Sequence, residues 1–346
     1  MPKYTIKSTR LDIKSSSLDA LIDAYLDQAA PTRAGVARKC HVSASTSGKV
    51  ATALSDCGFA KQRLYAEKNR RPALHLFINE GLHVMVLDLS RPVYTMSILD
   101  PYGKRLFFNS HVFDAGMSYE DNLSVFISRS GYQAKVSGKS FYALSVIFAD
   151  SCRGASATLS GIDAYVPTMQ DKSKTDRIIR SVFKRHTVTY LNLSDALLSS
   201  IKFGIIPSTE ASFGASYVFI GSQAFALNVS LEGLNRCDIG SFIIGDKTVA
   251  DLTRNRISSA ELSSILSRIV NMMQCAYGPS SVIIDSDVYE LDGQLIRHIY
   301  GFCAKAGVLA PTVIASNESA SISQMGAMKS ALSAFIRTMI HASDDQ

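Results

Sequence analysis

From residue 73 onward, short apolar runs alternate with longer stretches whose apolar positions recur every three or four residues. The short runs, at 73–78, 83–89, 93–99, 104–109, 143–149, 216–220, 224–229 and 281–284, read as strands. The longer ones, at 119–130, 174–183, 194–201, 259–277, 293–306 and 318–341, read as helices. Alternation of this kind demands sheets covered by helices, which is α/β architecture. Two hairpin-rich sheets, each flanked by helices, are expected to form a two-lobed body with a cleft.

The chain has 346 residues, enough for two or three domains with a sizeable core. A hydrophobic share of 47% and a charged share of 19% exclude a disordered or fibrous chain. No apolar run reaches the ~18 residues of a membrane span, and the opening MPKYTIKSTRLDIK lacks the apolar middle of a signal peptide. A cytoplasmic protein without a membrane partner is the expectation. Cysteines 40, 57, 152, 237, 275 and 303 are scattered, with no paired spacing and no histidine at ligand distance in sequence. They read as buried free thiols rather than a disulfide or metal set.

Charge is unevenly spread. Residues 1–72 hold 13 Lys and Arg against 6 Asp and Glu, whereas residues 73–346 hold 23 against 24. A polyanion partner for the N-terminal fifth is one reading, and a merely solvated surface the other.

Within that fifth, helical patterns at 18–28, 33–40 and 44–57 follow one another. Thr32 and Ser43 are natural N-caps, because each offers a side-chain oxygen to the free amides of the helix that follows. The short link Cys40-His41-Val42 suits two helices meeting at a large angle, a helix-turn-helix. Next comes FAKQRLYAEKNRRP, two extended stretches around a basic turn, which reads as a wing. In such a domain the second helix of the motif enters the major groove with its N-terminal end leading. That end carries Ser43, Ala44, Ser45, Thr46 and Lys49, with Arg33, Arg38, Lys68, Arg70 and Arg71 placed to reach phosphates. A three-helix cap or dimerisation module is the alternative. Gly48 inside the second helix costs about 1 kcal/mol relative to alanine and counts slightly against a rigid reading head.

This order of pieces, a winged helix-turn-helix, then RRPALHLFINEGLHVMVLDL, then a hairpin, resembles the repressor branch of the ROK family of repressors, open reading frames and kinases. The resemblance implies residues 1–72 as the DNA-binding domain. Residues 73–346 become an actin-like, sugar-kinase-type body for effector binding and oligomerisation. Its lobes would span roughly 73–190 with the C-terminal helix, and 191–320.

The family's chemical motifs are altered at five places. Where kinases carry D-x-G-G-T to hold ATP phosphates, this chain has Asp88-Leu89-Ser90-Arg91-Pro92. Proline has no N–H and fixes its backbone, so the nest of backbone donors is lost, although Arg91 could itself bind an anion. The N-D-x-N-A motif matches YLNLSDALLSSIKFG, placing Asn192 at the general base and Ser194 at the second asparagine. An amide cannot accept the sugar proton, and losing a positioned base removes about 10²–10⁴ in rate. Asp195 is the nearest substitute. The second phosphate loop becomes Gly221-Ser222-Gln223-Ala224-Phe225-Ala226-Leu227, in which Phe225 reads as a core strand residue. The E-x-G-H segment becomes Asp238-Ile239-Gly240-Ser241, with no cysteine following, so the zinc set is lost. The adenosine strand ends in Asp285-Ser286 instead of two glycines.

The resemblance therefore implies a DNA-binding transcriptional regulator without catalysis, cofactor or metal, acting as a homodimer or tetramer on a palindromic operator. Asn192 and Asp238 are the expected contacts of a sugar or sugar-derivative effector. The rivals are a sugar kinase using Asp195 or Asp238 as base, and a DNA-binding dimer with no effector.

Overall fold

The computed structural model of the chain describes residues 13–27, 31–65, 72–150, 156–159, 162–184, 186–203, 215–220, 224–230, 233–237, 239, 243–244, 247–249, 257–279, 281–286, 289–316 and 319–344. It begins with three helices, α1 (Ser15–Asp27), α2 (Arg33–Lys39) and α3 (Ala44–Asp56). Both expected caps form: Thr32 Oγ1 accepts from the Gly35 amide and Ser43 Oγ from the Thr46 amide, each at 3.0 Å. Between α2 and α3 the turn passes through His41 at φ 53°, a left-handed conformation that costs an L-residue energy but bends the chain sharply. Leu21, Ile22, Leu26, Val36, Val50 and Leu54 fill the space between the helices. Tyr25 locks it. Its hydroxyl lies 2.9 Å from the Ser47 carbonyl and 2.6 Å from Ser47 Oγ, and that Oγ in turn donates to the Arg33 carbonyl.

Next, β1 (Ala60–Tyr65) pairs antiparallel with β2 (Ala73–Ile78), Ala60 opposite Ile78 and Tyr65 opposite Ala73. The run at 73–78, expected to open the body, is therefore the second strand of the hairpin. Pairing across an intervening turn is non-local information that the run's own composition does not carry.

The first lobe contains β3 (Val84–Asp88), β4 (Val93–Leu99), β5 (Arg105–Val112), α4 (Tyr119–Val136), β6 (Ala143–Phe148), the hairpin β7 (Ser156–Leu159) and β8 (Ile162–Tyr165), α5 (Lys172–Val182), β9 (Thr187–Asn192) and α6 (Leu193–Lys202). Its sheet runs β5-β4-β3-β6-β9, antiparallel through the first three strands and parallel through the last two. The second lobe contains β10 (Ala215–Ile220), β11 (Ala224–Ser230), β12 (Gly233–Cys237), the hairpin β13 (Ile243–Ile244) and β14 (Lys247–Thr248), α7 (Ser259–Tyr277), β15 (Ser281–Asp285), α8 (Gly293–Lys305) and β16 (Thr312–Ser316), after which α9 (Ser319–Asp344) returns to pack on the first lobe's sheet. Its sheet order, β12-β11-β10-β15-β16, repeats the first lobe's strand for strand. The strands β9, β12 and β16 were not legible as apolar runs, and β9 is only half-buried along its whole length.

Alternate residues of β3 serve two cores. Val84 and Val86 face one apolar cluster, Met85 and Leu87 another, as period-two pleating requires when both faces are covered. Helices α4 and α5 cover the Met85 face. The Val84 face is covered by α6 and α9, and that same cluster continues into β10 and β11 and into α1, α3 and Phe59. One core thus joins the three-helix domain to both lobes.

At its centre α9 crosses α6 at Gly326. A Cβ built there would lie 2.0 Å from the Ala196 carbonyl oxygen and 2.7 Å from the Ser200 amide, both backbone atoms that cannot yield. Glycine is required for this approach. Ser200 Oγ donates to the Ile322 carbonyl and Ser330 Oγ sits 2.8 Å from Ser199 Oγ, binding the pair above and below.

Further along α9, three side chains hold α1. Ser333 Oγ donates to Asp23 Oδ1 at 2.6 Å, Arg337 Nη2 lies 2.7 Å from the same oxygen, and the buried Lys329 donates to the Leu26 carbonyl at 2.6 Å. Lys202, at the end of α6, takes Asp23 Oδ2 at 2.5 Å. Burial acts to raise the Asp23 pKa, but hydrogen bonds from Lys202 and Ser333 and the nearby positive charges outweigh it and leave it below the ordinary value. For Lys329 burial dominates, pushing it down to about 8 despite Asp27 and Asp100.

Two outcomes follow. Gly326→Ala should destabilise the protein by about 3 kcal/mol through overpacking, read as a lowered midpoint in denaturant. Because Lys329 loses its proton earlier in the folded chain than in the unfolded one, its contribution to stability rises from about pH 8 to roughly pH 10.5. Urea titrations across that range should show a rise in the wild type that Lys329→Met lacks.

Candidate nucleic-acid interface and cleft

The start of α3 presents Ala44, Ser45, Lys49 and Thr52 to solvent, the last three on one helical face. Ser43 and Thr46 are committed to the cap, their hydroxyls 2.8 Å apart. Arg33 lies at the far end of this face: its guanidinium donates to Gln62 on β1 and to Thr52 at 3.5 Å, so it braces α2 against α3 and the hairpin. Lys39 is ion-paired with Asp27, while Arg38 is exposed. Lys68, Arg70 and Arg71 lie outside the described residues. Exposed Lys61 and Arg63 on β1, not singled out from sequence, add positive charge to the hairpin.

In the body, the carboxyl ends of β3, β6 and β9 lie side by side, with Asp88 opposite Ile147 and Phe148 opposite Asn192. This is where ligands bind in open α/β sheets. Asp88 ends β3 and is 2% exposed. Its carboxylate accepts from the Ser90 amide at 3.0 Å and Ser90 Oγ at 2.6 Å, and pairs with Arg91. The turn is closed on itself: Arg91, which sequence left as an anion contact, is drawn onto Asp88.

Asn192 sits at the N-cap of α6 without capping it; its Nδ2 lies 3.4 Å from Asp195 Oδ2. The cap comes instead from Asp150, just past β6, which accepts from the Ser194 amide at 2.9 Å and from Ser194 Oγ. Asp150 is 2% exposed and was missed in the sequence, since its partner lies 44 residues away. Asn192 thus presents an amide at the start of α6, and the exposed Asp195 is the carboxylate nearest it along that helix.

In the second lobe, Phe225 stacks on Phe219 at 5.2 Å and is fully buried, as its strand pattern implied. Asp285 ends β15 with no exposure and accepts from the Tyr217 hydroxyl. Residues 221–223, Asp238 and Ser241 lie outside the described residues, so the structure places Asn192 alone of the two expected effector contacts. Among the described residues, no three His, Cys, Asp or Glu side chains gather as a metal set, and no helix is long and apolar enough to cross a membrane.

No protein-family model and no curated protein matches the sequence. Solved structures do. A ROK family transcriptional regulator, a homologue of the E. coli MLC protein, superposes with a TM-score of 0.62 over 96% of this chain and 100% of its own, at 12% identity. The chain has the ROK regulator fold.

An inorganic polyphosphate/ATP-glucomannokinase from Arthrobacter sp. strain KM matches at a TM-score of 0.50 and 12% identity. It covers 72% of this chain and 98% of its own. A candidate N-acetylmannosamine kinase from Listeria monocytogenes matches at 0.50 and 11%, covering 74% and 99%. The ROK regulator fold thus includes a segment that these two kinases leave unmatched. At such identities the likeness is one of fold.

Asp150→Ala removes both oxygens from the start of α6 and should cost about 1–2 kcal/mol, the range of a lost helix cap. Thermal unfolding of the variant checks it.

Proposed function

We propose that this protein is a sequence-specific DNA-binding transcriptional regulator, whose kinase-like body senses a sugar or sugar derivative and carries no phosphoryl-transfer activity. The observation that carries this reading is the N-terminal domain: three helices, the second and third capped, and a hairpin, with Ser45 and Lys49 exposed at the leading end of α3. The regulator matched over 96% of the chain supports it.

The chemistry of the cleft supports the loss of catalysis. A phosphate turn needs outward-facing backbone donors, and here Asp88 consumes the Ser90 amide while Pro92 supplies none. An amide at Asn192 cannot serve as general base. What remains suits recognition: an N-cap amide and the Asp195 carboxylate can hydrogen-bond hydroxyl groups.

The connection between the two functions is physical. Helix α6 starts in the cleft beside Asn192 and ends at Lys202 on Asp23 of α1. A ligand that binds one position of α6 better than another would bias the placement of α1, and through it of α3. A cytoplasmic homodimer or tetramer presenting paired heads would read a palindrome.

The test is binding of the purified protein to DNA flanking its own gene at two salt concentrations. Tight, competitor-resistant binding is expected, with Lys49→Ala reducing both affinity and salt slope, the latter by about one unit. Unchanged affinity and slope would remove Lys49 from the interface. Incubation with ATP and a hexose panel should give no turnover; measurable phosphoryl transfer would reject the inactive-body reading.

A further inference from the structure

The body averages to near-neutral charge, yet one face does not. Along α4 and α5 and the turns that follow them, residues 119–139 and 172–184, eight cations stand against three carboxylates. Two of the carboxylates, Glu120 and Asp121, lie in the first turn of α4, and the third, Asp176, is paired with Arg180. Toward the other end of α4, residues 131–141 and 182–186 contain no Asp or Glu at all.

That end opens into a groove of about 640 Å3. Its walls are Tyr132, Phe141, Val182, Phe183 and His186, and Lys135 and Lys139 stand at its rim. His186 stacks on Phe141 at 4.3 Å, and burial pushes its imidazole pKa down, so the floor is aromatic and uncharged near neutral pH. Tyr132 and Val136 are 70% and 68% exposed one turn apart, and exposed Val125 stands on the same face two turns earlier, with Ser128 and Arg129 between. A contiguous apolar surface rimmed by charge marks an interaction site more often than an accident of composition.

Three occupants are disfavoured. DNA bound at α3 lies on the far side of the first-lobe sheet, because α1–α3 join the core on the Val84 face while α4 and α5 cover the Met85 face. A second copy in a two-fold contact would bring the same cations against themselves. A phosphate-rich or lipid surface would use the lysines but leave a concave aromatic floor unfilled.

We propose that the groove between the C-terminal end of α4 and α5 docks an acidic amphipathic helix of a partner protein, apolar residues in the groove and carboxylates over Lys135 and Lys139. Helix-in-groove recognition places anchors at i, i+3 or i+4, and i+7, which the length of this α4 face accommodates. The inference is independent of what α3 binds.

The test uses a fluorescein-labelled helical peptide of about 18 residues with Leu and Phe on one face and Glu on the other. Controls are its scrambled isomer, polyglutamate, phosphatidylglycerol vesicles and random duplex DNA. Fluorescence anisotropy should show the segregated peptide binding at least about tenfold more tightly than the scrambled one, with Lys135→Glu/Lys139→Glu and Tyr132→Ser each weakening it about tenfold. All three substituted positions are exposed, so the variants should unfold at the wild-type temperature and bind operator normally. Equal binding of the scrambled peptide, or variants that leave binding unchanged, overturns the proposal. So does equally tight, variant-sensitive binding of polyglutamate, vesicles or DNA, which would make the face a general polyanion surface. Self-association abolished by Tyr132→Ser would assign the groove to a second copy instead.

Discussion

The crossing of α6 and α9 at Gly326 is the contact on which the remaining architecture rests. Each of these helices follows the fifth strand of its own sheet, so the crossing is where the two topologically repeated lobes meet. Side chains at that point would force the axes apart, and only a missing Cβ lets the Ala196 carbonyl and Ser200 amide come so near. Close approach then allows the flanking serines to bond across it. The lobes and the N-terminal domain share one apolar cluster to which both helices of this pair contribute.

That economy has a functional side. Helix α6 has one end among the groups of the cleft and the other on Asp23, and α9 grips the same aspartate through Ser333 and Arg337. A charge held by three donors on two helices is satisfied only in one relative placement of α1, α6 and α9. The junction is therefore polar and specific where a purely apolar one would tolerate sliding. The cleft and the N-terminal helices are thereby joined through one pair of helices without a dedicated linker.

Much of this was legible where the determinants are local. Thr32 and Ser43 announce their helices because a cap needs only the next three residues, and the periodic pattern at 259–277 coincides with α7, which the structure bounds by a capping box at Ser258 and Glu261 and a left-handed Gly278. The closed Asp88 turn was visible as a turn without glycines, and Phe225 as a core residue. Hidden were contacts made by distant chain: β2 on β1, Asp150 on Ser194, Arg33 on Gln62. Arg33 was read from motif position alone, which carries no information on the bonds that tertiary packing gives it with Gln62 and Thr52.

The bond between Ser333 and Asp23 spans 310 residues of chain. At ordinary rates of synthesis, α1 waits roughly 15 to 60 s for α9 to leave the ribosome. Until then the first helices have only each other to pack against, and the apolar flank that α9 later covers is bare. A chain stalled anywhere before α9 leaves α1 without Ser333, Arg337 and Lys329, so the N-terminal helices gain their full set of contacts only after a segment some 310 residues later has been made.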